Sequence, residues 1–538
     1  MIRRGWLAAL VGGLVLGLSA PGAALPFAEW LVLPGLSIWF AVAVSERRPL
    51  LRSYLFGIAY MAWFSWSVRH VMLPAYLAIV FLGGLYFVIG TAAVRGLPQR
   101  WRSLAFAVAV AGSFWMRATM PDIHYPHGQP CHALWQWPSL MRIVTVGGEP
   151  LMNALLGLLA AYGFELWQSW RVALPAWRLA LVRFGGALAV TALSVVVGHW
   201  LAADVAPAPA TEAVDRSVRI VAVEPGFHPS EVWFAEDGWQ AAYKRLTAER
   251  LVAPTLDILK GEIKPDLILW PENSVMSRLS GVDIDDGRVG LFVDVFPKVS
   301  TRLVTGASIS IKDFVTPGAV LVDLQDSRVL AHHHKQRLVP GGEFLPLVGL
   351  LPESWANSVR QGFQEALGTP ANQRPGLPRP PMQTADGVPF GALLCYDNAF
   401  PEPAAAQVAA GAEFLVVLSN EAWYRGGAEL TQLVAMTVVR ALENVVPVVR
   451  CTLDGHTVAV DASGQVVAGL DIAAAPQPSA RFLEVLIDPS EGRVPGMAWL
   501  RRSSGLILGL LTALAAAGNL LLRAIIRSDR TSVGAVVR

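Results

Sequence analysis

Apolar residues are distributed along this chain in two different ways. In the first 200 residues they form long runs broken by short polar connections; beyond residue 218 they form short runs bounded by polar residues, glycine and proline. A final long run lies near the end, at 504–523. Runs of roughly 20 apolar residues are the length a helix needs to cross a bilayer. The long runs predict spans over 1–20, 24–45, 53–68, 72–94, 103–119, 148–167, 178–200 and 504–523. The first, behind Met1-Ile2-Arg3-Arg4, has the make-up of a secretory signal, but further apolar runs follow at once and predict a retained helix.

The later pattern is that of an α/β domain. Val218–Val223, Asp266–Trp270 and 301–311 read as strands, and 230–260 as helical. Gly318–Asp323 and 328–333 read as a hairpin turning at Gln325-Asp326. Residues 388–395 and 413–419 are further strands, and 429–445 is a helix. Strands alternating with helices, plus hairpins, predict a sandwich with a mixed sheet rather than a barrel. The apolar stretch 344–351 with Trp355 has two readings, an interfacial lid or a core segment.

Composition points the same way. Across 538 residues 54% are hydrophobic and only 16% charged, and the mean hydropathy is +0.45. A soluble enzyme of this length carries more charge, so the chain is a membrane protein at least in part. Net charge of +2 says little about partners, and no basic block reads as a nucleic-acid surface. The basic residues fall on alternate connections: Arg3 and Arg4; Arg47, Arg48 and Arg52; Arg95, Arg100 and Arg102; Arg171 and Arg178; Arg523, Arg527 and Arg530. By the positive-inside rule both termini are cytoplasmic, and the region between the seventh and eighth spans faces the other side. In a bacterial inner membrane that side is the periplasm. The organisation expected is spans over 1–200, a stiff Pro/Ala linker over 201–217, an extramembrane domain over 218–495, and the last span with a tail over 496–538.

Candidate chemistry is sparse and sharply placed. The three cysteines, Cys131, Cys395 and Cys451, form no CxxC and no metal-ligand spacing. His124, His127, Cys131 and His132 match no metal motif, and His332-His333-His334, adjacent on a strand, cannot all face one ion. No metal or cofactor is expected. Three strand ends stand out. Pro271-Glu272-Asn273 puts a carboxylate past a buried strand, Lys335 puts an ammonium past another, and Gly391–Cys395 ends on a thiol. A base, an oxyanion stabiliser and a nucleophile are the set needed for acyl transfer through a thioester. Taken singly each has a plainer role, respectively a carboxylate in a helix N-cap region, a solvated surface amine and core packing.

Glu272, Lys335 and Cys395, in that order and about sixty residues apart, resemble the triad of the nitrilase (carbon–nitrogen hydrolase) superfamily. With the membrane spans, the chain resembles its bacterial apolipoprotein N-acyltransferase branch. The phrases that carry the likeness are Pro271-Glu272-Asn273, Leu338-Val339-Pro340 with Gly342–Pro346, Cys395-Tyr396-Asp397, Ser419–Tyr424, and Arg440–Asn444 with Pro447 and Arg450. The resemblance implies a multi-pass membrane domain of about eight spans with a nitrilase-like four-layer αββα sandwich. It further implies a phospholipid acyl donor, a lipoprotein acceptor and a monomer. Glu272 would take the thiol proton, while Lys335 and the Tyr396 N–H hold the oxyanion. Lys335 would also be the positive neighbour that depresses the thiol pKa. Glu343 would orient Lys335 or the base; Asp397, Asn420 and Trp423 would support the site or bind substrate. Departures from the family pattern are Asp397 for Glu, Gln336-Arg337 without the usual His, Gly341 for an aromatic, Gln432 without its accompanying His, and Leu453-Asp454-Gly455 for Asn-Thr-Gly or Asn-Asn-Gly. They leave open a divergent paralogue acylating another amine, a nitrilase-type hydrolase, and a non-catalytic scaffold.

Overall fold

A computed structural model describes residues 5–23, 25–170, 174–203, 216–228, 231–232, 235–236, 238–279, 295–311, 314–367, 373–424, 427–470, 479–490 and 497–536. Arg3, Arg4, Arg171 and most of the expected 201–217 linker lie outside them, as does the start of the Pro-rich stretch 370–382. The chain divides into two compact units, Met1–Leu201 with Gly496–Arg538, and Ala202–Pro495.

The first unit is helical. Its helices are Gly5–Leu18, Val32–Val44, Pro49–Phe64, Leu73–Arg95, Arg102–Thr119, Val144–Ser169, Leu174–Ala203 and Met497–Val536, with shorter turns between. Among the described residues four segments are long and apolar enough to cross a membrane: Leu73–Arg95, Val144–Ser169, Trp177–Ala203 and Trp499–Arg523. Others are shorter than the sequence reading. The run 24–45 is helical only from a 3-10 turn at Ala28–Leu31, after Phe27 takes a positive φ of 58°. Gly148, at φ 67°, and Pro150 break the helix that contains 148–167 near its start. The core of this unit is aromatic. Trp39 lies 4.7 Å from Phe87 and 5.1 Å from Phe106 between ring centroids, and its indole N–H donates to Thr91 Oγ1 at 3.1 Å. Leu and Val side chains stay exposed along Leu174–Ala203, among them Leu193 and Val196.

The second unit is built on two sheets. The 7-stranded sheet has the order β13-β1-β2-β4-β5-β6, with β3 on β4, where β1 is Val218–Glu224, β2 Leu267–Leu269, β3 Val275–Leu279, β4 Arg302–Ile311, β5 Phe314–Asp323, β6 Arg328–His334 and β13 Arg481–Ile487. The 6-stranded sheet runs β12-β11-β10-β9-β8-β7, with β7 Met382–Gln383, β8 Pro389–Leu394, β9 Phe414–Ser419, β10 Val448–Thr452, β11 Val458–Val460 and β12 Val466–Gly469. The sheets pack face to face through Ile220, Leu269, Leu321, Ala392, Val416 and Val449. Leu251 and Leu259, from the helical stretch 239–260, cover the outer face of the first sheet against Val221, Ile268 and Val320. Helices Pro401–Ala409 and Glu429–Asn444 pack on the second sheet. The layers are therefore αββα, the nitrilase-type arrangement. Because side chains alternate along a strand, one run such as Val218–Val223 feeds both the inter-sheet core and the helix layer.

Of the two readings of 344–351, burial excludes the core segment. Leu350 is 80% and Trp355 66% exposed, and Trp355 lies on the amphipathic helix Glu353–Leu367.

Candidate active site

The expected site residues lie at the ends of central strands. Glu272 follows β2 in a tight turn where Asn273 has φ 59°. That turn crosses Gly306 of β4 so closely that a Cβ there would lie 2.6 Å from Glu272 Cα, so only glycine admits it. Trp270 anchors the turn from beneath, its indole N–H donating to Thr255 Oγ1 at 3.0 Å. Lys335 follows β6, its backbone N–H donating to Pro317 O at 2.8 Å. Cys395 follows β8. It does not end the strand, as the sequence reading has it, but begins a 3-10 turn, Cys395–Ala399, with φ 45°. The left-handed backbone turns its side chain out of the sheet, and the residue is partly exposed.

Lys335 joins these ends. Its ammonium, only 1% exposed, donates to Glu272 Oε1 at 2.8 Å and to Glu343 Oε1 at 2.6 Å. Each carboxylate has one more donor, Asn420 N on Glu272 Oε2 at 3.2 Å and Val339 N on Glu343 Oε2 at 2.8 Å. Burial works against the charge on Lys335, yet Glu272 and Glu343 hold its pKa well above the ordinary range. Burial, only partly countered by Lys335, raises the Glu343 carboxyl. Lys335 therefore answers two carboxylates before it reaches the sulfur. The Cys395 thiol is accordingly not depressed, as the sequence reading requires, but pushed up to about 11 by burial and by Glu272, against the pull of Lys335. At rest Cys395 is a neutral thiol.

Asp397 does not project a carboxylate into an open pocket. Its Oδ1 accepts from the Gln336 and Arg337 N–H groups at 3.0 and 2.7 Å, and its Oδ2 from Leu394 N at 3.1 Å. It ties the chain after Lys335 to the chain before Cys395, a task the shorter Asp side chain performs in full. Burial pushes its carboxyl up to about 7, against Lys335 and the three N–H donors. The Tyr396 ring packs at 5.2 Å on Phe400, in an apolar cluster with Leu433, Met436, Val339 and Tyr424. Asn420 reaches the site through its backbone, while its buried Oδ1 has no hydrogen-bond partner among the described residues. The Trp423 ring lies 6.5 Å from that of His228. His332 and His334 share one face, their rings 4.9 Å apart. Among the described residues no group of three or more His, Cys, Asp or Glu is arranged to hold a metal ion.

Sequence reasoning quoted one group, Ser419, Glu421 and Arg450, only within the family phrases and gave it no role. Ser419, the last residue of β9, neighbours Cys395 through the β8–β9 register and donates to Glu421 Oε1 at 3.0 Å. Arg450 of β10 donates to Ser419 Oγ at 3.3 Å and forms an ion pair with Glu421, both fully buried. The available signal was an arginine inside the apolar run Val448–Thr452, because a buried charge demands a partner.

Two family descriptions match the chain. Residues 12–162 match the apolipoprotein N-acyltransferase N-terminal domain and residues 303–474 the carbon-nitrogen hydrolase family. The second match contains Lys335 and Cys395 and begins after Glu272. Proteins named apolipoprotein N-acyltransferase align nearly end to end. That of Brucella melitensis is 27% identical, covering 97% of both chains, and that of Shewanella oneidensis is 25% identical, covering 97% of this chain and 96% of the relative. A solved carbon-nitrogen hydrolase from Helicobacter pylori aligns at 17% identity over 55% of this chain and 94% of its own, with a TM-score of 0.35.

Proposed function

We propose, on the premise that the chain belongs to the apolipoprotein N-acyltransferase family, that it moves a fatty acyl group from a phospholipid, through a thioester on Cys395, to the α-amine of the lipidated N-terminal cysteine of apolipoproteins. The observation that carries the mechanism is the buried Lys335 bridging Glu272 and Glu343 beside the partly exposed thiol.

Glu272 takes the thiol proton as the sulfur attacks the ester carbonyl. A neutral thiol beside a positioned carboxylate suits proton transfer during attack rather than a standing thiolate. Lys335 and the Tyr396 N–H hold the developing oxyanion, and a lysophospholipid leaves with a proton returned by Glu272. The acceptor amine then attacks the thioester, and Glu272 again carries the proton, so the kinetics are ping-pong. Glu343 keeps Lys335 in place. The cluster of Tyr396, Phe400, Leu433 and Met436 offers the acyl chain an apolar wall.

In this reading about eight helices span a bacterial inner membrane with both termini in the cytoplasm, and 218–495 is a catalytic domain in the periplasm. The exposed Leu347, Leu350, Leu351 and Trp355 support contact of the catalytic domain with the bilayer surface, where a diacyl lipid is found. The enzyme works as a monomer without a cofactor. Incubation with phospholipid carrying a labelled acyl chain should leave a hydroxylamine-sensitive label on Cys395. Expression should also rescue a strain lacking its own lipoprotein N-acyltransferase. Free fatty acid released without any amine acceptor would instead identify a hydrolase.

A further inference from the structure

The thiol faces a shortage of donors. Lys335 is engaged by two carboxylates, and Asp397 has taken up the N–H groups of Gln336, Arg337 and Leu394. The backbone supplies one more group. Leu394 pairs in register with Leu418 across β8 and β9, so the residues that follow them, Cys395 in its turn and Ser419 at the end of β9, are brought side by side. β10 continues the register, with Thr452 opposite Ser419 and Arg450 opposite Val417.

A hydroxyl has one proton and two lone pairs. In the resting site the Ser419 proton goes to Glu421 Oε1 at 3.0 Å, and one lone pair accepts from Arg450 at 3.3 Å. That leaves one lone pair for the S–H of the neighbouring Cys395. Once the sulfur has lost its proton it can only accept, so this contact survives only if the serine turns its proton round. Glu421 can release that proton because it keeps Arg450 as an ion-pair partner. The pair is held rigidly. Arg450 also donates to Thr437 Oγ1 at 3.4 Å, Thr437 accepts from Asn398 at 3.0 Å, and a Cβ on Gly455 would lie 2.6 Å from Glu421 Oε2.

We propose that Ser419 is a further catalytic residue: its hydroxyl swings its proton from Glu421 to the sulfur of Cys395 as the thiol gives its own proton to Glu272, and swings back once the thioester forms. Arg450 and Glu421 are positioning residues that hold the hydroxyl between its two settings. No bond to the serine is made or broken; one hydrogen bond is exchanged for another. The proposal rests on the acyl-transfer reading for its place in the cycle, but not for its test.

The test is alkylation of Cys395 by iodoacetamide in the full-length protein in detergent micelles, followed by peptide mass spectrometry between about pH 7 and 10. Loss of the donor in Ser419→Ala should lower the alkylation rate about tenfold across that range, as an upward shift of about one pH unit in the profile. Acylation from vesicles of phosphatidylethanolamine and phosphatidylglycerol with labelled chains should fall by a similar factor. Ser419→Thr should recover the rate that Ser419→Val loses. These two variants match in size and differ by one hydroxyl, so they decide the matter even where the alanine variant fails to fold. Superimposable alkylation profiles for folded wild-type and Ser419→Ala proteins, or for the threonine and valine variants, would overturn the proposal. A wild-type protein that alkylates normally but never forms a labelled thioester would overturn the acyl-transfer reading and leave the alkylation result to judge Ser419 on its own.

Discussion

Cys395 and Cys451 occupy the same sheet, one just past β8 and the other within β10, with β9 between them. Cys451 lies in the packed layer between the two sheets, its thiol donating to Val223 O and Leu269 O at 3.4 Å each. Cys395 sits one residue beyond its strand, on a left-handed backbone, partly exposed. Burial raises the pKa of both thiols. A favourable resting ionisation therefore does not set the proposed nucleophile apart. What does is position: a strand end, a turned backbone, and Glu272 and Lys335 within electrostatic reach.

The sharpest challenge to this contrast is removal of each sulfur. Cys395→Ala should abolish acyl labelling altogether, whereas Cys451→Ala should retain it; equal loss in both would mean that position does not separate them. Next in size is Lys335→Met. Loss of the oxyanion donor should cost about 10²–10³ in the acylation rate. Removing one partner of a buried ion group should also lower unfolding stability by about 3–5 kcal/mol, measured by denaturant titration. Glu343→Gln keeps a hydrogen-bonding side chain beside Lys335 but weakens the charge-assisted contact that holds the ammonium in place, so a loss of about tenfold is expected in single-turnover acylation. With the Cys395 thiol at about 11, iodoacetamide alkylation should climb about tenfold per pH unit from 7 to 10. A plateau near pH 7 would instead mark a depressed thiol. The smallest effect is on the other cysteine: Cys451→Ala should lower stability by about 1 kcal/mol, since it removes one packed sulfur and two weak hydrogen bonds.

Much of the second unit was legible in residue order. Val218–Val223, 301–311 and the hairpin turning at Gln325-Asp326 fall close to the observed strands because their apolar runs and turn residues are local signals. β13 was not among the expected strands. It pairs antiparallel with β1 from Val218↔Ile487 to Glu224↔Arg481, a partnership between distant parts of the chain that no local window contains. The same limit applied to chemistry. Glu272, Lys335 and Cys395 were singled out because each follows a visible apolar run. Ser419 and its link to Arg450 depend on the register of β8, β9 and β10. The role of Asp397 was hidden too, since its three partners are backbone N–H groups that carry no side-chain signature. In the helical unit, length and apolarity located the runs, while the break at Gly148 and the short start of Val32–Val44 come from backbone geometry.

The positive φ of Cys395 has a last consequence. Glycine adopts that conformation freely, and an ordinary L-residue held there costs about 1 kcal/mol. Cys395→Gly should therefore melt at a higher temperature than Cys395→Ala, although both proteins are inert. The fold by itself would be better served by having no side chain at 395, so a thiol kept at that point is held at the expense of thermal robustness.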